Sequence, residues 1–138
     1  MIRTTARRLA HLLTGTTYIA LGYDAVRTPG GRVDLAAPTL ATLRQFLPLP
    51  QDDELVVRGN AAVQTLAGAA LAAGVLPRTS AAVIAGSLVP TTIAGHAFWK
   101  VEDPAVRKMQ QVQLLKNVAL LGGLIAIASE RKTQAAGP

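Results

Sequence analysis

GNAAVQTLAGAALAAGVLP, residues 59–77, runs nineteen positions without a charged side chain between Arg58 and Arg78, and this stretch decides the fold. A bilayer core needs about 20 mostly apolar residues per helix. The next stretch, TSAAVIAGSLVPTTIAGHAFW at residues 79–99, is uncharged as well, and Lys116 is the only charge between Met109 and Ser129. A soluble protein burying several apolar helices is the competing reading. Three such stretches in 138 residues speak against it.

Composition agrees. Half of the chain is hydrophobic and 16% is charged, against roughly 25% for soluble domains. A first, weaker stretch, Leu9 to Tyr23, carries His11 and several hydroxyl side chains. Arg3, Arg7 and Arg8 precede it as in a signal peptide. Bulky Leu21 and Tyr23 flank the small residues where cleavage would fall, so we read a retained span. The expectation is an all-α membrane protein, a bundle of four transmembrane helices near residues 8–26, 54–76, 79–99 and 109–129. All 138 residues form one domain.

The connections follow from breakers. Thr28-Pro29-Gly30-Gly31 ends the first span. In the loop 32–54, Leu35, Thr39, Leu40, Leu43, Phe46 and Leu47 recur at helical spacing, with Pro38 opening and Pro48 and Pro50 closing the segment. A short interfacial helix fits this pattern, and so does an apolar loop packed over the bundle. Asp52-Asp53-Glu54 suits a helix N-terminus. Pro77 to Ser80 permits only an immediate reversal, so spans two and three form a hairpin. Pro90 within span three is tolerable in a membrane helix if neighbours such as Thr91 and Thr92 satisfy the freed carbonyl. Asp103-Pro104 looks like the start of span four.

The net charge of +6 would suggest nucleic acid in a soluble chain. Here the bases sit at helix ends and in loops, so contact with membrane lipid head groups accounts for them and nucleic acid is not expected. One side would hold both termini and the Arg78 turn, with Arg3, Arg7, Arg8, Arg131 and Lys132. Those segments are short and almost purely basic, which places them in the cytoplasm. A faint repeat, Thr16-Thr17 to Gly22 against Thr91-Thr92 to Gly95, suggests two parallel hairpins or chance.

Polar side chains within membrane helices are costly, so their positions inform. Asp24, Arg58, Asn60, Gln64, His96, Lys116 and Asn117, with Gln110 and Gln113, fall at one depth near the outer face. The other halves are rich in small residues such as Gly68, Ala81, Gly86, Gly122 and Gly123, which allow close packing. Tyr18 shares a face with Gly15 and Gly22. The seven polar residues would line a small-molecule or quinone head-group pocket. They could equally tie helix to helix, with Lys116 snorkelling and Asp24 paired to Arg27 or Arg58, or form a docking surface. His96 beside Phe98 and Trp99 suits an interface anchor better than a ligand.

Several chemistries are not expected. Cysteine is absent, so there is no disulfide or thiolate site. There is no Walker loop, dinucleotide fingerprint, HExxH or GxSxG element. His11 and His96 sit at opposite faces. No catalytic residue, metal site or covalent cofactor emerges, and a self-sufficient enzyme is not indicated.

Arg8-Leu9 to Gly22-Tyr23-Asp24, Asn60 to Gln64 and Gly68, and the Leu-Pro-Arg turn at 76–78 resemble DoxX-like membrane proteins. So do Gly86 to Trp99 and Leu115 to Gly123, the two most distinctive segments, and the similarity runs over nearly the whole chain. The resemblance implies a four-helix protein of the bacterial inner (plasma) membrane, of a family named after subunits associated with quinone-linked sulfur and respiratory oxidoreductases. On that basis the expected function is a small accessory subunit of a quinone-linked oxidoreductase or redox-stress complex, with oxidoreductase subunits as partners, a quinone as ligand and a homo-oligomer left open. A small-molecule or lipid transporter and a structural assembly factor are the alternatives. If a family site carries over, Asp24, Asn60, Gln64, His96, Lys116 and Asn117 are its matching positions.

Overall fold

The computed structural model describes residues 2–130. Five α-helices and one 3₁₀ turn account for most of them: α1 Ile2–Arg27, α2 Arg32–Leu43, α3 Asp53–Ala72, α4 Pro77–Gly95, the turn Phe98–Lys100, and α5 Pro104–Ala128. No strand occurs among the described residues. Arg131 and Lys132, assigned above to the cytoplasmic side, lie outside them.

The caps explain several boundaries. Asp52 accepts the Leu55 amide at 3.1 Å and starts α3. Asp103 accepts the amides of Ala105 and Val106 at 2.8 and 2.9 Å, so α5 begins at Pro104 as Asp103-Pro104 suggested, ahead of the apolar stretch 109–129. Between α3 and α4 the chain reverses through Gly74 (φ +72°) and Leu76 (φ +45°). Two left-handed residues cannot continue a right-handed helix, so α3 stops at Ala72 instead of 76. At the other end of α4, His96 leaves the helix with φ −132°, and the expected final turn to residue 99 becomes the 3₁₀ segment.

A short helix does occupy the 32–54 loop, in a different frame from the one expected. It starts at Arg32 and contains Pro38 rather than opening on it. A proline here removes the amide that would bond the Asp34 carbonyl, a loss the helix carries within its second turn. Leu40 is its buried residue, packed where α2 crosses α3 and α4. Phe46 and Leu47 fall beyond it and are exposed. Arg44 then staples α2 to α3 by donating to the Pro50 carbonyl and to Asp53 at 2.6 Å.

α1 packs on α3, α3 on α4, and α4 on α5, the first pair most closely. The α1–α3 seam is made of glycines. A Cβ on Gly15 would lie 2.5 Å from the Gly68 carbonyl oxygen, and one on Gly68 would lie 2.8 Å from the Gly15 oxygen. Gly22 meets Ala61 and Thr65 in the same way. Gly86, Gly122 and Gly123, expected in close packing, have nothing within 4 Å of a built Cβ, because their faces point away from the bundle.

The core is small and lies toward the end that holds the α1 N-terminus, the α3–α4 turn and the α5 C-terminus, called here the terminal end. It comprises Tyr18, Leu71, Ala81, Ile84, Leu88, Leu124 and Ile127. Many more large apolar side chains face outward, among them Leu13, Leu66, Leu115 and Ile125. Such a surface is unfavourable in water and suited to hydrocarbon. Three helical stretches, Asp53–Ala72, Pro77–Lys100 and Pro104–Ala128, are long and apolar enough to cross a bilayer. The structure thus supports three of the four expected spans on length and composition. α1 has the length, at 26 residues, but His11 and its threonines dilute its apolar content.

Candidate functional site

The half of the bundle away from the core, called the loop end, contains a ladder of polar side chains. Asn60 and Gln64 sit four apart on α3 and face Ser87 and Thr91, four apart on α4. Asn60 donates to the Thr91 hydroxyl at 3.0 Å, the Ser87 hydroxyl donates to the Asn60 carbonyl at 2.6 Å, and Gln64 donates to Ser87 at 3.0 Å. On the far side of α4, Asn117 donates to Thr92 at 3.0 Å. A turn further, His96 Nδ1 and Gln110 Oε1 are 2.7 Å apart. Since an amide oxygen only accepts, His96 donates from Nδ1, leaving the Gln110 amino group free for another partner.

The remaining candidates are placed apart. Asp24 pairs with Arg32 at 2.7 Å instead of Arg27 or Arg58, because the turn after α1 brings the first residue of α2 back over it. Arg58 holds Glu54 at 2.7 Å and donates to the Val26 carbonyl. Lys116 is exposed and donates to Gln113 on its own helix at 2.9 Å. Hydrogen bonds therefore join Asn60 with Gln64, and link Asn117 and His96 to α4 and α5 partners, while Asp24, Arg58 and Lys116 stand in separate groups.

Thr91 and Thr92 donate to the carbonyls of Ser87 and Leu88. The carbonyl freed by Pro90 is that of Gly86, so these hydroxyls bond the next two carbonyls along the chain and not the freed one as expected.

A cavity of about 250 Å³ opens at the loop end between α2, the last turn of α4, the 3₁₀ turn and the first turns of α5. Leu35, Pro38, Ile93, Ala94, Ala97 and Val101 make it largely apolar, and Asp34, Thr39, Trp99, Lys100 and Gln110 add polar groups. None of the seven candidate residues lines it. His96 reaches it indirectly, through Gln110. Sequence reasoning passed over Asp34, Thr39 and Lys100 because the path of α2 across α4 is a tertiary fact with no local signal. Ser87, the centre of the ladder, was also missed; its spacing from Thr91 matches that of Asn60 and Gln64 and was the available signal.

The terminal end carries a second polar group. His11, 6% exposed, lies 3.3 Å from Glu130, which Arg7 approaches at 3.4 Å. Arg78 donates to the Ala128 carbonyl at 3.1 Å, a favourable place for a cation at a helix C-terminus. These contacts fasten α1 and α4 to the end of α5. Among the described residues no three His, Asp or Glu side chains are arranged to hold a metal ion.

Comparison with known proteins gives one positive result. The family model for DoxX matches residues 7–97. The match takes in α1 to α4 and stops before α5, so Leu115 to Gly123 lies outside it. No curated protein and no solved structure matches the chain. With its apolar helices and a family match over well more than half its length, the chain is a membrane protein that belongs to the DoxX family.

Proposed function

We propose that this protein is a small accessory subunit of a quinone-linked oxidoreductase in a bacterial plasma membrane, holding a quinone head group in the cavity beneath α2. The observation that carries this reading is the cavity's make-up. Apolar walls from Leu35, Ile93 and Val101 suit the ring and its tail, while Lys100 and the free amino group of Gln110 can donate to quinone carbonyl oxygens. His96 sets the Gln110 amide. Asn60, Gln64 and Asn117 brace the helices behind it, and Asp24 and Arg58 fix the end of α1. The resemblance to DoxX-like proteins implies the same link to quinone-linked oxidoreductases.

In this reading α1 is the fourth span. Thr16 and Thr17 donate to carbonyls a turn earlier in their own helix, so their hydroxyls enter hydrocarbon already bonded. α2 lies at the interface, with Leu40 inward, and both termini are cytoplasmic. In cells, Gln110→Leu and Gln64→Leu are expected to impair quinone-dependent respiration and redox-stress tolerance. Unimpaired respiration in both variants, at normal protein levels, would overturn the reading. A transporter is the second reading, favoured by Pro90, which interrupts α4 directly before the cavity-lining Ile93 and Ala94. Substrate flux in vesicles holding only this protein would select it.

A further inference from the structure

α5 is the least covered helix of the bundle. It packs on α4 and on the 3₁₀ turn, and its only buried residues are Leu124 and Ile127, near its C-terminus. Its outward side presents Met109, Val112, Lys116, Ala119, Gly123 and Ala126, all exposed. Their alternating spacing of three and four is the period with which one helix lies along another. Ala119, Gly123 and Ala126 would let a neighbouring backbone come close, and nothing lies within 4 Å of a Cβ built on Gly123.

Lys116 stands at the midpoint of the 25 residues of α5. Arg107 and Lys108 mark the polar end of α5, and Lys116 lies eight residues beyond Lys108, about 12 Å along the helix axis, a long reach for a four-methylene stem to snorkel. Among the described residues its hydrogen-bond partner is the neutral Gln113 amide, and no carboxylate pairs with it. An ammonium at that depth calls for a counter-charge.

We propose that this face of α5 docks a transmembrane helix of another protein, one carrying a carboxylate near its own midpoint. A second copy of this chain does not fit. Because Lys116 is central, α5 against α5 would set Lys116 opposite Lys116 in either orientation. The chain's acids, Asp24, Asp34, Asp52, Asp53, Glu54, Glu102, Asp103 and Glu130, all lie at helix ends or in connections, so another copy has no midspan carboxylate to offer. The proposal deepens the accessory reading, on which it rests for the existence of a partner, and it places that partner on the helix outside the family match.

The test uses a designed probe. The chain has no cysteine, so Ser129→Cys accepts one fluorophore, and energy transfer to labelled Leu/Ala transmembrane peptides is measured in phosphatidylcholine vesicles. The peptides carry Glu, Gln or Leu at the centre. The Glu peptide is expected to bind about tenfold more tightly than the other two, the preference to survive Lys116→Arg, and to vanish in Lys116→Met. Equal binding of all three peptides by the unsubstituted chain, a preference retained in Lys116→Met, or self-association through α5 in place of peptide binding would each overturn the proposal. The vesicles hold neither quinone nor enzyme, so failure of the accessory reading would leave the peptide result unchanged.

Discussion

Tyr18 is fully buried in the core, and its hydroxyl has no hydrogen-bond partner among the described residues. A buried, unmatched hydroxyl costs about 1–3 kcal/mol, so Tyr18→Phe is expected to raise the thermal unfolding temperature in detergent. A fall would mean that the hydroxyl is bonded. Ser87 is the opposite case: one hydroxyl serves both Asn60 and Gln64. Ser87→Ala is expected to cost about 1 kcal/mol, read as a lower melting temperature, and Ser87→Thr less. At this scale the sequence showed which polar positions fall within the spans, because a polar side chain in a span stands out. It did not reveal their partners, because those depend on how neighbouring helices are rotated. Asp24 pairing with Arg32 across a tight turn is one such outcome, and the His11–Glu130 contact across the two ends of the chain is another.

Among the elements, α1 and α3 depend on one another through backbone contact at Gly15, Gly22 and Gly68. Gly68→Val would push its side chain into the Gly15 carbonyl and Tyr18. Overpacking of this kind costs about 1–3 kcal/mol, so loss of folded protein on size exclusion is expected, while Gly122→Val, on an open face, is expected to be silent there. Leu76 holds φ +45° while 70% exposed, a conformation that costs a non-glycine residue roughly 1–2 kcal/mol. Leu76→Gly is therefore expected to raise thermal stability, and unchanged melting would show that the turn relaxes. The helices α3, α4 and α5 were legible from gaps between charges. α2 was legible as a helix but shifted in frame, since Pro38 reads as a boundary locally while the structure places it inside the helix.

For the molecule as a whole, an apolar exterior and a small core toward one end describe a protein whose solvent is lipid. The halves differ as the polar pattern suggested, with apolar packing at the terminal end and side-chain hydrogen bonds at the loop end. The position of the cavity was not legible, because α2 meets the 3₁₀ turn and α5 there from a distant part of the chain. The central claim is that this cavity holds a quinone. Native mass spectrometry of the protein extracted from its own membrane in mild detergent tests it most directly. A bound quinone that is retained by the unsubstituted chain and lost in Gln110→Leu is the expected result. A chain carrying no quinone, or one that Gln110→Leu retains equally well, would contradict the claim.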